Sequence, residues 1–224
     1  MKLLLTSNGL ENDGIYNALI ELVGKPAGEI KVVFVPTAAN PETGDKSWLV
    51  EHYQKFYDRR FAEFAIVDIA VVGKDIWLPE LTNADVICMG GGDQQYLAEK
   101  LTETGVAAEL PSLLTTRVYM GISAGSMVAG QFMPLDVLKI VYHYYPDSFF
   151  SEWNPHLLAE PLKLVPIVFI PHMNSPHFQR IKEETILPLK GKISVPTYAL
   201  EDQAALKVID GTIEVVGTGE HVVV

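Results

Sequence analysis

The chain has 224 residues, 48% hydrophobic and 20% charged, a balance that fits a globular protein long enough to bury a sizeable core. Its formal net charge of −11 argues against nucleic acid and anionic membrane as main partners, since both need clustered Lys and Arg. The lone cysteine, Cys88, cannot form an internal disulfide. It lies in the apolar run Val86–Met89 and reads as a buried small hydrophobe, which fits a reducing compartment. The N-terminal apolar run is too short for a signal peptide, and no stretch approaches a membrane span.

Taken in order, the chain alternates. Leu3–Thr6 reads as a strand ended by Ser7-Asn8-Gly9. From Glu11 to Val23, apolar residues at Ile15, Leu19, Ile20, Leu22 and Val23 keep close to a helical period, broken at Gly24 and Pro26. Lys31–Val35 is a second strand. Trp48–Phe61 predicts a helix with an aromatic face of Trp48, Tyr53, Phe56 and Tyr57, and His52 on it is expected to be solvated. Phe64–Ile69 and Asp85–Met89 are the third and fourth strands, the latter running directly into Gly90-Gly91-Gly92-Asp93. Gln94–Leu101 and Val106–Thr115 predict helices, and Val118–Ile122 a fifth strand. Continuous apolar strands alternating with helices imply an α/β fold with a mostly parallel, doubly wound sheet covered on both faces. No repeat, low-complexity tract or linker divides the chain, so residues 1–224 are expected to form one domain.

Beyond the fifth strand, Phe132 to Leu162 is long, aromatic and weakly periodic, as functional segments often are. Pro166–Ile170 then predicts another strand, with Pro171-His172 at its carboxyl end. Pro176–Lys190 predicts a helix. Ser194–Ala199, Ala204–Ile209 and Thr212–Val216 predict late strands, with Asp210-Gly211 as the signal for a small β-hairpin.

The sharpest motif is Gly121-Ile122-Ser123-Ala124-Gly125, a G-x-S-x-G pattern between the fifth strand and the small residues Ala124–Ala129. A strand turning sharply into a helix needs residues with little or no side chain beside the serine, and such a turn exposes the hydroxyl as a nucleophile. The plainer reading is a glycine-rich turn with Ser123 as an N-cap. Open α/β sheets bind ligands outside the carboxyl ends of their strands, where Gly90–Asp93, Ser123 and His172 all fall. The Gly-rich turn lacks G-x-G-x-x-G or a Walker lysine, so a nucleotide site is weakly supported. It could instead supply one N–H of an oxyanion hole, the other coming from Ala124. Of the six histidines, His172 alone stands at a predicted strand end, which makes it the candidate for the base that a serine nucleophile needs within hydrogen-bond reach. No His or Cys pair stands at ligand spacing on a strongly predicted element, which disfavours a metal.

These segments together resemble the peptidase E and cyanophycinase family of serine peptidases: Leu5-Thr6-Ser7-Asn8-Gly9, Phe34-Val35-Pro36-Thr37-Ala38, Gly90-Gly91-Gly92-Asp93, Gly121 to Ser126, Ile170-Pro171-His172 and Leu200 to Leu206, in that order along the chain. The resemblance implies a flavodoxin-like sheet related to class I glutamine amidotransferases, with Ser in place of their Cys. It also implies cytoplasmic hydrolysis of small peptides without metal or cofactor. Peptidase E itself removes N-terminal aspartate from dipeptides, and relatives act on other peptide bonds. By motif, Ser123 is the nucleophile and His172 the base, and Gly91 and Ala124 give the oxyanion N–H groups. Gly92, Asp93, Tyr144 and Asp202 are expected at the substrate. The third member of the triad departs from the family pattern, an acid soon after the elbow helix. Asp136 is the preferred candidate, with Asp147, Glu152 and Asp202 as alternatives.

The segment Tyr142–Trp153 lies between nucleophile and base and carries Tyr142, Tyr144, Tyr145, Phe149, Phe150 and Trp153. It is expected to line the substrate site and set specificity. Packing on the core, or against a second copy in a homodimer, are the other uses for so many rings.

Overall fold

Alternating side chains decide how the strands are used. Along β1 (Lys2–Thr6), Leu3 and Leu5 enter one core and Leu4 the other. Val33 and Val35 oppose Val32 and Phe34 along β2 (Lys31–Val35), and Ile87 and Met89 oppose Val86 and Cys88 along β4 (Val86–Met89). A strand buried on both faces carries an unbroken apolar run, which is why these segments were legible. Helices α1 (Asp13–Val23) and α2 (Ser47–Asp58) cover one face through Ile15, Leu19, Leu22 and Phe56. The other face is covered by α3 (Lys74–Asn83), α4 (Gln94–Glu103), α5 (Val106–Leu113) and α6 (Ala124–Ala129), through residues such as Trp77, Leu97, Leu110 and Val128.

The computed structural model describes residues 1–134, 137, 141 and 159–224. With β3 (Glu63–Ile66), β5 (Val118–Ile122), β8 (Ala204–Ile209) and β9 (Thr212–Gly217), the central sheet has seven strands in the order β3-β2-β4-β5-β1-β8-β9. The first five in that order run parallel, while β8 pairs antiparallel with β1 and β9 antiparallel with β8. Asp210 and Gly211, at φ 47° and 86°, make the β8–β9 turn with both residues left-handed, as the hairpin signal requires.

One sequence expectation fails here. The strand carrying His172 does not end on the same sheet edge as the strand carrying Ser123. β6 (Val168–Ile170), β7 (Thr197–Leu200) and β10 (His221–Val223) form a separate three-stranded sheet in the order β10-β7-β6. The place beside β1 is already taken by β8, and Phe169 and Ile170 bury into the core from outside the main sheet.

Other elements shift as well. The helix α3 was not among the expected elements; Trp77 and Leu81, four apart, bury it. The helix expected over 176–190 shrinks to one turn, Glu183–Ile186, followed by the 3₁₀ turn Leu187–Leu189. Pro176 and Pro188 bracket that segment, and Asn174 N–H donates to the Ile181 carbonyl at 2.7 Å, closing a loop rather than a helix. His52, expected in solvent, is 4% exposed, enclosed by Trp48 and the Asn8–Gly9 turn.

Candidate active site

The site begins with Thr6, at the end of β1. Its carbonyl accepts from the Ser123 N–H at 3.1 Å and from the Ser126 hydroxyl at 2.8 Å, and its own hydroxyl donates to the Gly121 carbonyl at 2.7 Å. The buried Tyr119 hydroxyl donates to the Gly125 carbonyl at 2.6 Å. These bonds draw the chain into a tight strand-to-helix turn. A Cβ on Gly121 would lie 2.6 Å from the Ser126 nitrogen, and one on Gly125 would run into the Met89 carbonyl. Both motif glycines are therefore demanded by close backbone approach.

At the tip, Ser123 takes φ 49° and ψ −110°, a conformation that costs a side-chain-bearing residue roughly 1–3 kcal/mol and clusters at functional sites. Its neighbours from Gly121 to Gly130 are all buried, and Ser123 alone is partly open. Its side chain caps nothing in α6, so the plainer N-cap reading does not hold. Instead, Ser123 Oγ lies 2.8 Å from His172 Nε2.

His172 stands at φ 65° just beyond β6, its backbone N–H donating to Ser7 Oγ at 2.7 Å. Its Nδ1 lies 2.6 Å from Asp202 Oδ1, and Ser7 Oγ donates to the same oxygen at 3.1 Å. Asp202 occupies the crossover between β7 of the small sheet and β8 of the main sheet. Burial pushes its carboxyl up. Hydrogen bonding to His172, the imidazole's attraction and the hydroxyls of Ser7 and Ser175 outweigh that and hold it below its ordinary value. With Asp202 ionised, Nδ1–H donates to Oδ1, and Nε2 is left to accept from the Ser123 hydroxyl. The Phe178 ring stacks on the imidazole, centroids 4.6 Å apart and planes 8° from parallel.

Gly91 borders the serine, since a Cβ there would lie 3.4 Å from Ser123 Cβ. Trp48 closes over it, 3.8 Å from the same point. Among the described residues, neither the Gly91 nor the Ala124 N–H has an acceptor. Gly92 lies against the Ala38 carbonyl. Asp93, expected at the substrate, uses Oδ1 to accept from Gln95 and Tyr96 N–H at 2.8 and 2.9 Å, capping α4. Behind Trp48, His52 Nε2 pairs with Asn8 Oδ1 at 3.1 Å, while its Nδ1 is buried without a partner among the described residues. Burial first, then the nearby Lys55 and His172 charges, lower the His52 imidazole to about 4, so it is neutral at physiological pH.

The structure thus brings Ser123, His172, Gly91 and Asp202 together at the Ala124 start of α6, with Gly92 turned against Ala38 and Asp93 capping α4. Asp136, Tyr144, Asp147, Glu152 and the segment 142–153 lie outside the described residues. The position on His172 Nδ1 is held by Asp202, one of the alternatives for the third member. Sequence reasoning missed Thr6, Ser7, Trp48, His52 and Phe178 as parts of the site. Only the polar strand end Thr6-Ser7-Asn8-Gly9 offered a local signal. Among the described residues no group of three or more His, Cys, Asp or Glu is placed to hold a metal ion, and no helix is long and apolar enough to cross a membrane.

A mostly parallel α/β sheet with a second, three-stranded sheet beside it defines the architecture, and solved structures share the fold. A protein assigned as peptidase E from Listeria monocytogenes EGD-e matches with TM-score 0.72 and 18% identity, covering 97% of this chain and 98% of its own. A peptidase from an acI-B1 Actinobacterium matches with TM-score 0.65 and 20% identity, covering 99% of this chain and 93% of its own. At these identities the likeness is one of fold. No curated protein sequence matches the chain. The model of peptidase family S51 matches residues 3–216. The chain belongs to peptidase family S51 and is a serine-type peptidase, a hydrolase.

Proposed function

We propose that this peptidase hydrolyses small peptides, in the manner of a dipeptidase or aminopeptidase, through an acyl-enzyme on Ser123. Ser123, His172 and Asp202 act as the catalytic triad, and the Gly121–Gly125 turn as its nucleophile elbow. The observation that carries this reading is the unbroken chain Ser123 Oγ–His172 Nε2, 2.8 Å, and His172 Nδ1–Asp202 Oδ1, 2.6 Å.

In this mechanism His172 Nε2 takes the Ser123 proton as Oγ attacks the scissile carbonyl carbon. The Gly91 and Ala124 N–H groups receive the negative oxygen. Such a donor is worth roughly 3 kcal/mol at the transition state. His172 then gives its proton to the departing amine, and the C–N bond breaks. A water, deprotonated by the same nitrogen, attacks the acyl-serine carbonyl; the C–Oγ bond breaks, the proton passes from Nε2 to Ser123 Oγ, and the carboxylic acid leaves. Asp202 stays ionised throughout, holding the tautomer and stabilising the imidazolium. The cytoplasmic setting expected from the resemblance belongs to this reading too, and the lone buried Cys88 supports it.

The test is a panel of dipeptides and aminoacyl nitroanilides set against p-nitrophenyl esters, with Ser123→Ala as control. Peptide turnover that disappears in Ser123→Ala is expected. Turnover of esters alone would favour an esterase or amidase acting on a non-peptide acyl group, and wild-type turnover by Ser123→Ala would remove Ser123 from the chemistry.

A further inference from the structure

Phe178 is a large apolar residue left 39% exposed, in a loop rather than a packed element. Its backbone sits in a turn, N–H donating to the Ser175 carbonyl at 3.1 Å and carbonyl accepting from Ile181 at 2.9 Å. What its ring does touch is the imidazole of His172, face to face at 4.6 Å and 8°. The core does not account for an aromatic residue in this place.

The hydrogen bonds of His172 show what is missing without it. Ser7 anchors the backbone N–H, Asp202 anchors Nδ1, and Ser123 meets Nε2. These contacts fix where the ring lies in its own plane. They do little against a tilt about the line joining the two nitrogens, because a hydrogen bond tolerates moderate misalignment. The tilt matters most during turnover. Once Nε2 has taken the serine proton, the Nε2–Ser123 bond is broken in favour of the departing amine, and one of the anchors is gone. A flat ring stacked on the imidazole face limits that motion and keeps water from the same face.

We propose, resting on the catalytic reading above, that Phe178 is a positioning residue which holds the His172 ring on the line between Ser123 and the leaving group. Its effect passes through the imidazole on which it stacks.

The experiment compares Phe178→Ala, Phe178→Leu and Phe178→Tyr with the wild type. Leu keeps apolar bulk without a flat face and gives a folded variant if Ala is poorly stable; Tyr keeps the face. In Ala and Leu, kcat on peptides is expected to fall on the order of tenfold to a hundredfold, as small misplacements of catalytic groups do, while KM stays within about twofold and Tyr restores the rate. p-Nitrophenyl esters, whose leaving group departs without a proton, lose less. In the resting protein, proton NMR should show the His172 Nδ1–H exchanging with water on the order of tenfold faster in Ala and Leu than in wild type and Tyr. Unchanged kcat in Ala, a rise in KM alone, or Leu behaving as wild type would overturn the proposal. A wild type that hydrolyses no peptide would overturn the catalytic reading instead, and the exchange rates would still decide whether Phe178 holds the ring.

Discussion

Two strand ends meet at this site, and they are built by different means. The end of β5 presents Ser123 from the middle of the main sheet. There the turn is tied by buried hydroxyls of Thr6, Tyr119 and Ser126 to main-chain carbonyls, and Gly121 and Gly125 lie in contact with main-chain atoms. The end of β6 presents His172 from a small sheet, and there the ties are side chains: Ser7, Asp202 and the half-exposed Phe178. The contrast teaches where each kind of damage should fall. Changes behind the serine should cost the fold, because packed backbone has nowhere to relax. Changes around the histidine should cost the chemistry and leave the fold largely in place.

The strongest way to break that contrast is His172→Ala. Hydrolysis should fall by a factor on the order of 10⁶, with little further loss in the Ser123→Ala, His172→Ala double variant, because members of one catalytic unit do not contribute additively. Melting should stay near that of the wild type. Multiplying losses in the double variant would separate the two residues.

Next comes the acid. Asp202→Asn should lower kcat by about 10⁴, since an amide stabilises the wrong imidazole tautomer. Asp136→Asn should leave kcat within a few-fold. The reverse pattern in the same assay would return the third position to Asp136.

On the serine side the effect should appear in stability. Gly125→Ala should cost about 3 kcal/mol or more in urea unfolding, the upper range for forcing atoms into a packed interior. A soluble, fully stable Gly125→Ala protein would show that the turn can relax, and would erase the difference between the two ends.

His52 sharpens the comparison from the other side of Trp48. Its imidazole, ordinarily near 6.5, is held at about 4 in the folded chain, chiefly by burial. Between those values the unfolded chain binds the proton first, so stability rises with pH across the interval. It is lost as pH falls from 6.5 toward 4, by up to about 3 kcal/mol. His52→Gln should flatten that part of the curve. Urea midpoints at pH 7 and pH 4.5, measured for both proteins, check it; equal pH dependence would mean that the imidazole is not the group being titrated.

Much of this arrangement was legible before the structure. The alternation of buried strands and helices, the turn at Ser123, the β8–β9 hairpin and the place of His172 at a strand end all rest on local chemistry. An apolar run, a pair of glycines or an Asp-Gly turn carries its meaning within a few residues. The helix α3 went unread because only Trp77 and Leu81 of its 10 residues are buried, too few to mark a helical period.

What the sequence by itself determined is the family, the α/β alternation and the pair Ser123 and His172, which the fold sets 2.8 Å apart. Only the tertiary structure decided which acid faces His172, that His172 comes from a second sheet, and that His52 is buried. Asp202 lies 30 residues from His172 along the chain, and Ser7 lies 165 residues from it. They meet because the crossover from β7 to β8 passes the end of β1, where the Ser7 N–H donates to the Ala204 carbonyl at 3.3 Å. Side chains brought together by a crossover between sheets share no local period or spacing, so no window of sequence contains the information that pairs them.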